Sequence, residues 1–182
     1  TSDASGNYTF EDIECDKTYY VRGEKAEYAT KEQKVFIAKE SGKTELPIAL
    51  EKLIKQVKVG DDLAKTFGIK IIYFDLDKWN IRPDAAVDLA KIVDVLQEYP
   101  TMKVDVRSHT DSRQTKKYNE KLSENRAKST IDWMVKDGVQ ASRISGKGYG
   151  ETQLLNKCAD GVQCSEEEHQ LNRRSEFIIM AL

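Results

Sequence analysis

A strand that leads through a polar loop into a long helix most constrains how this sequence can fold. Residues 103–108 alternate apolar and polar side chains, a pattern typical of a half-buried strand. The pattern from Tyr118 onward predicts a helix that runs to Asp137 and stops at Gly138, a residue type common at helix ends. The loop between these elements therefore brings polar side chains from a strand end close to one helix face.

Asp111 in this loop and Arg126 in the helix offer opposite charges that suit one small ligand. Asn119, Leu122 and Arg126 are three and then four residues apart, so they share a helix face. A carboxylate can hold an ammonium group, and a guanidinium can hold a carboxylate through two parallel hydrogen bonds. The pattern favours an amino-acid-like ligand. It is also typical of a loop cap at Asp111 and a solvated helix face at Arg126.

The same residues resemble a known family of cell-wall-binding domains. The motif His-Thr-Asp at 109–111, followed by Asn-x-x-Leu-Ser-x-x-Arg-Ala at 119–127, is similar to that of OmpA-like peptidoglycan-binding domains. The resemblance covers residues 66–182. Three further segments match the family in its order: 72–78, 148–151 and 172–174.

The resemblance implies an α+β fold, a βαβαβ(α)β sandwich in which helices cover one mixed sheet. The periodicity of the chain agrees with this architecture. Residues 69–74 and 143–148 predict two further strands, and 175–180 predict a buried last strand. An apolar stripe after Pro83 predicts a helix up to Tyr99.

We expect three parts along the chain: a partial β-sandwich at 1–50, a linker at 51–65 and the OmpA-like domain at 66–182. The first part resembles the tail of a carboxypeptidase-regulatory-like β module, whose beginning would lie upstream. About 50 residues are too few for a complete sandwich. Aromatic and β-branched residues predict four short strands there, at 6–10, 18–22, 35–38 and 46–50.

The resemblance also implies the ligand and the residues that hold it. The ligand would be peptidoglycan, recognised through the meso-diaminopimelate residue of its stem peptide. Asp111 would hold the ammonium group of that residue and Arg126 its carboxylate. Because Arg126 is expected to face the pocket and not the core, Arg126→Ala is expected to stay folded. Seven further residues match positions around the site: Thr110, Asn119, Leu122, Asp75, Asp77, Arg173 and Arg174.

Three details of the site stay open in the sequence. Ser108 and Gln114 stand where many family members have glycine. If the position of Gln114 requires a positive φ, the backbone is strained there or the loop takes another course. The sequence does not decide whether Arg173 or Arg174 points toward the ligand.

Two of the three cysteines predict a short disulfide-closed loop if the compartment is oxidising. Cys158 and Cys164 enclose a short glycine-containing loop, which predicts a disulfide. A metal site would need further ligands, and only His169 is nearby, so we predict no metal. Cys15 is then either a buried free thiol or the partner of a cysteine outside this sequence.

Composition and charge exclude some partners and suggest a location. With 29 basic and 31 acidic residues and a net charge of −2, the chain has no electrostatic basis for binding nucleic acid. It has no apolar run of transmembrane length and no signal peptide. Because it begins at Thr1, we expect a fragment or processed form of a periplasmic protein, associated with the outer membrane through an anchor outside it. The cysteine loop resembles Bacteroidetes-type members, whose gliding or secretion machinery proteins are candidate partners.

Two other functions are weighed against cell-wall binding. A strand that ends in Asp75-x-Asp77 is also how haloacid-dehalogenase-type phosphatases begin, but their magnesium site needs a lysine and a further acidic pair. The later strand ends here carry no acidic pair. The second alternative is a structural domain that binds a protein partner and no ligand. The sequence pairs no nucleophile with a base, so we predict no enzyme activity and no cofactor.

Overall fold

The chain forms two compact units in the computed structural model, which describes residues 1–40, 42–51 and 56–182. The units are Thr1–Lys55 and Gln56–Leu182. Residues 52–55 of the expected linker lie outside the described residues. None of the helices in the described part of the chain combines the length and the apolar character that a membrane span requires.

The first unit contains an antiparallel hairpin of β1 (Lys17–Gly23) and β2 (Lys31–Ile37). The strands predicted at 18–22 and 35–38 lie largely within it. The strands predicted at 6–10 and 46–50 are wrong, because neither segment pairs with a strand. The resemblance of this unit to a carboxypeptidase-regulatory-like module stays a prediction.

The second unit has the predicted α+β fold, with four strands in one mixed sheet. The strand order is β3-β6-β4-β5, in which β4 and β5 are parallel and β6 is antiparallel to both of its neighbours. The expected buried last strand is therefore a central one. The elements follow the chain as α1 (Leu63–Phe67), β3 (Ile72–Tyr73), α2 (Pro83–Glu98), β4 (Lys103–Ser108), α3 (Lys116–Lys136), a 3₁₀ turn (Ala141–Arg143), β5 (Ile144–Gly148), α4 (Glu166–Gln170) and β6 (Arg174–Ala181).

The core lies where the apolar stripe of α2 and the apolar face of α3 pack on the sheet. Pro83 begins α2, where its missing N–H costs no helical hydrogen bond. Thr115 caps α3 by accepting a hydrogen bond from the Tyr118 backbone N–H. Burial of apolar side chains from both layers is the main favourable contribution to folding. The most deeply buried include Leu89, Ile92, Leu96, Val106, Met134, Phe177 and Ile179.

Residues near the end of the expected linker belong to the second unit. The Asp62 side chain caps α1, and the Asp62 backbone forms a β-bridge with Ile178. Leu63 and Ala64 are buried in the core. The linker expected at 51–65 therefore does not extend to 65, because its last residues pack against the sheet.

Helix α3 lies directly on β5 at Gly148. A Cβ atom at this position would lie 2.2 Å from the Glu124 backbone nitrogen and 2.3 Å from the Ser123 hydroxyl oxygen. No side chain fits in this space. The close approach fixes the position of α3 over the sheet and turns one of its faces toward the loops that follow β3 and β4.

Candidate functional site

The loop after β4 is held by the neighbouring strand β6. The His109 backbone N–H donates to the carbonyl oxygen of Arg174 at 2.9 Å. At the end of β4, the Ser108 and Ser175 hydroxyl groups hydrogen bond to each other at 2.6 Å. The serine at position 108, where many family members have glycine, is thus satisfied by a hydrogen bond within the sheet. Gln114 does not have a positive φ, so its backbone is not strained there.

Backbone carbonyl groups from two loops hold the guanidinium group of Arg126. Its Nε donates to the carbonyl oxygen of Lys78 at 2.8 Å, and its terminal nitrogens donate to those of His109 at 2.8 Å and Asp75 at 3.0 Å. The group also lies over the Phe74 ring, 5.0 Å from its centre. Arg126 is 0% exposed. Replacing it would leave buried carbonyl groups without donors, so we expect Arg126→Ala to cost stability, unlike the expectation from the sequence.

The charge of Arg126 has no anionic partner among the described residues. Burial is the largest cause that lowers the pKa of Arg126, which falls to about 10. The nearby charge of Arg173 lowers it further, whereas that of Asp111 raises it. The guanidinium is therefore still charged at neutral pH. Three of its five N–H groups make the bonds to carbonyl oxygens, so two remain for a ligand such as a carboxylate.

Asp111 lies near Arg126 and is itself nearly buried. Its Oδ2 accepts hydrogen bonds from terminal nitrogens of Arg113 at 2.7 Å and Arg173 at 2.9 Å. Among the described residues, its Oδ1 accepts one hydrogen bond, from the Arg113 backbone N–H at 3.3 Å. Burial by itself raises the pKa of Asp111, but the hydrogen bonds from the two arginines outweigh it and hold this pKa below its usual value. Asp111 is therefore ionised at neutral pH, and its Oδ1 can accept another donor.

The two adjacent arginines at the start of β6 point to opposite sides of the sheet. One terminal nitrogen of Arg173 donates to Asp111 at 2.9 Å and the other to Glu166 at 2.6 Å. Arg174 instead pairs with Glu176, at 2.6 Å. Successive residues of an extended chain face opposite sides, which explains the difference. The structure thus brings Arg173 to the candidate site and keeps Arg174 away from it.

Thr110, Asn119 and Leu122 are all buried at the candidate site, with different surroundings. The Asn119 amide donates to the carbonyl oxygens of Asp111 at 3.1 Å and Gln114 at 3.3 Å, so it ties the loop to α3. Leu122 is 7% exposed and lies one turn further along the same helix face. The Thr110 hydroxyl is buried and has no hydrogen-bond partner within the described part of the chain. A buried hydroxyl without a partner is unfavourable unless a ligand or water satisfies it.

The carboxylates of Asp75 and Asp77 point outward from the loop after β3. Asp75 is paired with Arg82 at 3.1 Å, with 62% of the Asp75 side chain exposed. Asp77 has a φ of 59° and accepts a hydrogen bond from the Tyr118 hydroxyl group. The loop contributes to the site through the backbone carbonyl groups of Asp75 and Lys78, not through these side chains.

The phosphatase alternative would need further metal-binding side chains beside Asp75 and Asp77. Within residues 1–40, 42–51 and 56–182, neither belongs to a group of three side chains that could hold a metal ion. The group found there is Cys158, Cys164 and Glu168, and its two cysteines are joined in a disulfide. An Asp-x-Asp magnesium site would require further acidic ligands beside these two carboxylates.

The sequence pattern does not predict the groups that hold Arg126. Three of them are the backbone carbonyl groups of Asp75, Lys78 and His109. Every residue has such a group, so the pattern of side-chain types does not show which ones accept hydrogen bonds. The fourth is the Phe74 ring. Its position directly before the predicted loop residue Asp75 is a signal that could have placed it at the site.

The predicted disulfide between Cys158 and Cys164 is confirmed, with the two Cα atoms 5.9 Å apart. The Cys158 carbonyl oxygen accepts a hydrogen bond from the Ser112 hydroxyl at 2.6 Å, which fastens this loop to the residue after Asp111. Cys15 is a free thiol and is exposed, so the expectation of a buried thiol is wrong.

Similar proteins were found both by sequence and by structure. The chain is 38% identical to outer membrane porin F of Pseudomonas fluorescens, over 60% of this chain and 32% of the porin. It is 34% identical to the peptidoglycan-associated lipoprotein of Agrobacterium fabrum, over 59% of this chain and 58% of the lipoprotein. It therefore spans less than two thirds of either relative.

A solved structure has a similar fold at 28% sequence identity. It is the cell wall anchor of the T6SS from Pseudomonas aeruginosa, with a TM-score of 0.50 over 60% of this chain and 76% of that one. Residues 73–167, more than half of the chain, match the model of the OmpA family. They include the strand, the loop and the helix that form the candidate site. The chain therefore belongs to the OmpA family.

Proposed function

We propose that this chain binds peptidoglycan without catalysing a reaction on it, and that it recognises the diaminopimelate residue of the stem peptide. One observation carries the proposal: two incompletely satisfied, opposite charges lie close together. The buried Arg126 guanidinium has no anionic partner among the described residues. One carboxylate oxygen of Asp111 has a single weak donor in the part of the chain that the structure describes. The free end of diaminopimelate carries both an ammonium and a carboxylate group, and so complements both charges.

Each polar group at the site has a role in this proposal. Arg126 holds the ligand carboxylate through its remaining N–H groups, and Asp111 holds the ammonium group. The unpartnered hydroxyl of Thr110 can donate to the same carboxylate. Arg173 keeps Asp111 ionised and in place. Asn119 holds the loop that carries Asp111.

Ligand entry requires the loop after β3 to move, because Arg126 is covered in this structure. Residues 75–78 of this loop provide two of the carbonyl groups that surround the guanidinium. The loop residues Leu76 and Trp79 are 49% and 44% exposed, so little apolar packing opposes such a movement. The hydrogen bonds from Arg126 to the carbonyl oxygens of Asp75 and Lys78 would have to break, and the ligand carboxylate would replace them. The carboxylates of Asp75 and Asp77 would then lie at the rim of the site, without contact to the ammonium and carboxylate groups of the ligand.

The names of the relatives support the proposed partner and location. One relative is a peptidoglycan-associated lipoprotein, one is an outer membrane porin, and one solved structure is described as a cell wall anchor. We place this chain in the cell envelope, in the periplasm and associated with the outer membrane. Gliding or secretion machinery proteins remain candidate further partners.

Binding to two kinds of cell wall tests the proposed ligand. Sacculi with diaminopimelate should sediment with the protein, whereas sacculi with lysine at the same position should retain much less. Lysine lacks the second carboxylate, so it leaves Arg126 without an anion. Equal retention by both walls would remove the role of Arg126. No binding to either wall would favour a structural domain that binds a protein partner.

A matched pair of variants tests the role of Asp111. Asp111→Asn removes the charge that holds the ammonium group, so affinity should fall on the order of tenfold or more. Asp105→Asn is the control, since Asp105 is also paired with an arginine on this sheet, at 3.0 Å from Arg107. Isothermal titration with a diaminopimelate peptide should show a loss for Asp111→Asn alone. The same loss in both variants would assign the effect to general destabilisation.

A further inference from the structure

A polar cleft lies beside the candidate site, between the residues that follow Asp111 and the disulfide loop. Its volume is about 440 Å³. One wall is formed by residues 112–116, and the other by residues 159–162, which lie inside the ring closed by Cys158 and Cys164. Ser112 and Arg113 directly follow Asp111, so the cleft begins within two residues of the proposed ammonium-binding carboxylate.

His169 lines this cleft and is only partly satisfied. It is 6% exposed, and its Nδ1 is buried without a hydrogen-bond partner among the described residues. A buried ring nitrogen without a partner, on a residue that lines a cleft, indicates a missing ligand or water.

The charges that face the cleft favour an anion. Lys116 is the first residue of α3, a helix of 21 residues, so the positive end of the helix dipole also points here. Lys116 forms no ion pair within the part of the chain that the structure describes. Arg113 is positive too, but Asp111 and Glu166 already neutralise it. The acidic residue among the lining residues is Asp160. Because Arg113 is neutralised, Asp160 offsets Lys116 in formal charge, and the positive end of α3 tips the balance toward an anion.

We propose that this cleft binds a second carboxylate of the same stem peptide, with Lys116 as its cation and His169 as a hydrogen-bonding partner. The inference rests on the proposed function, since the diaminopimelate end at Asp111 and Arg126 would bring the rest of the peptide past Arg113. The disulfide loop thereby becomes part of the binding surface, because residues 159–162 form its outer wall.

Two peptides separate this cleft from the diaminopimelate site. One is a stem peptide with all its carboxylates free, and the other has every carboxylate amidated except that of the free diaminopimelate end. Isothermal titration should give an affinity about threefold to tenfold lower for the amidated peptide, as expected for one partly exposed ion pair. In Lys116→Gln the two peptides should bind equally, at the affinity of the amidated peptide. Lys117→Gln, the control at the next helix position, should keep the difference.

The outcomes distinguish the two proposals. If both peptides bind the wild-type protein equally, or if Lys116→Gln keeps the difference, the cleft is not a carboxylate site and the proposed function stands. If neither peptide binds, both proposals fail. Inorganic phosphate is the third probe. If phosphate binds while the two peptides bind with equal affinity, the cleft is a site for free anions and this inference is also overturned.

Discussion

Arg126 takes part in folding as well as in the proposed binding, because its buried guanidinium joins three backbone segments. It donates to carbonyl oxygens on both sides of the candidate site and lies over an aromatic ring. A change at this residue therefore alters stability together with affinity. The two effects have to be measured separately before a loss of binding is assigned to a lost ligand contact.

Arg126→Ala should lower the free energy of unfolding by about 3–5 kcal/mol, because it leaves buried carbonyl groups without hydrogen-bond donors and removes a buried side chain. Urea denaturation measures the loss. Arg82→Ala is a suitable control, since the Arg82 side chain is 33% exposed and pairs with Asp75 and Asp84 at the surface. Its cost should stay within about 1 kcal/mol. Equal costs for the two variants would show that the carbonyl contacts of Arg126 contribute little.

The carboxylate of Asp111 should stabilise the fold in a pH-dependent way. Its pKa is lower in the folded protein than its usual value, so its contribution is present above the unfolded pKa of about 3.9 and lost as pH falls through the folded value. The difference in unfolding free energy between wild type and Asp111→Asn should therefore be larger at pH 7 than at pH 2.5. Urea denaturation at both pH values measures it. A difference that does not change with pH would mean that the ion pairs with Arg113 and Arg173 give no net stability.

The sequence predicted which side chains form the candidate site, but not the contacts that hold them in place. Spacing and resemblance placed Asp111 and Arg126 together, since a strand end and a helix face were both recognisable. The burial of Arg126 was not predictable, because it depends on backbone carbonyl groups at Asp75, Lys78 and His109. The side of the sheet to which Arg173 points was also not predictable, since it depends on where β6 begins.

At the level of elements, the disulfide loop should contribute measurably to stability. The Cys158–Cys164 bond closes a ring with a sequence separation of 6, and closing so short a ring stabilises by about 2 kcal/mol in the chain-entropy model. Replacing both cysteines with serine should lower the free energy of unfolding by this amount and remove any effect of reductant. Cys15→Ser is the control and should change nothing, because Cys15 is free and exposed. Stability unaffected by the double replacement would mean that the loop is held by other contacts, such as the Ser112 hydrogen bond.

The accuracy of the predicted elements depended on their length. The helices α2 and α3 begin and end within two residues of their predicted limits, because long amphipathic patterns and caps are strong signals. The strand predicted at 69–74 is only two residues long, Ile72–Tyr73. It is an edge strand, and its paired length depends on how far β6 extends beside it. No pattern within 69–74 contains that information.

For the whole molecule, residues 56–182 should fold without the first unit. All four strands of the mixed sheet and every residue of the buried core lie in this part of the chain. Deleting residues 1–55 should leave the melting temperature of the second unit and its retention by sacculi unchanged. Differential scanning calorimetry of the two chains checks the first point, and sedimentation with sacculi checks the second. A melting temperature lower by about 4 °C or more would indicate a contribution of about 1 kcal/mol from the first unit.

The central place of β6 has a consequence for the timing of folding. β6 is the last strand of the sequence, yet it lies between β3 and β4 and pairs with both. A chain that emerges N-terminus first, from a ribosome or through a narrow channel, cannot complete its sheet until residues 174–181 have passed. These late contacts span long distances in sequence, which slows closure of the sheet further. The emerging chain thus stays accessible to a translocation apparatus or a chaperone until β6 has emerged.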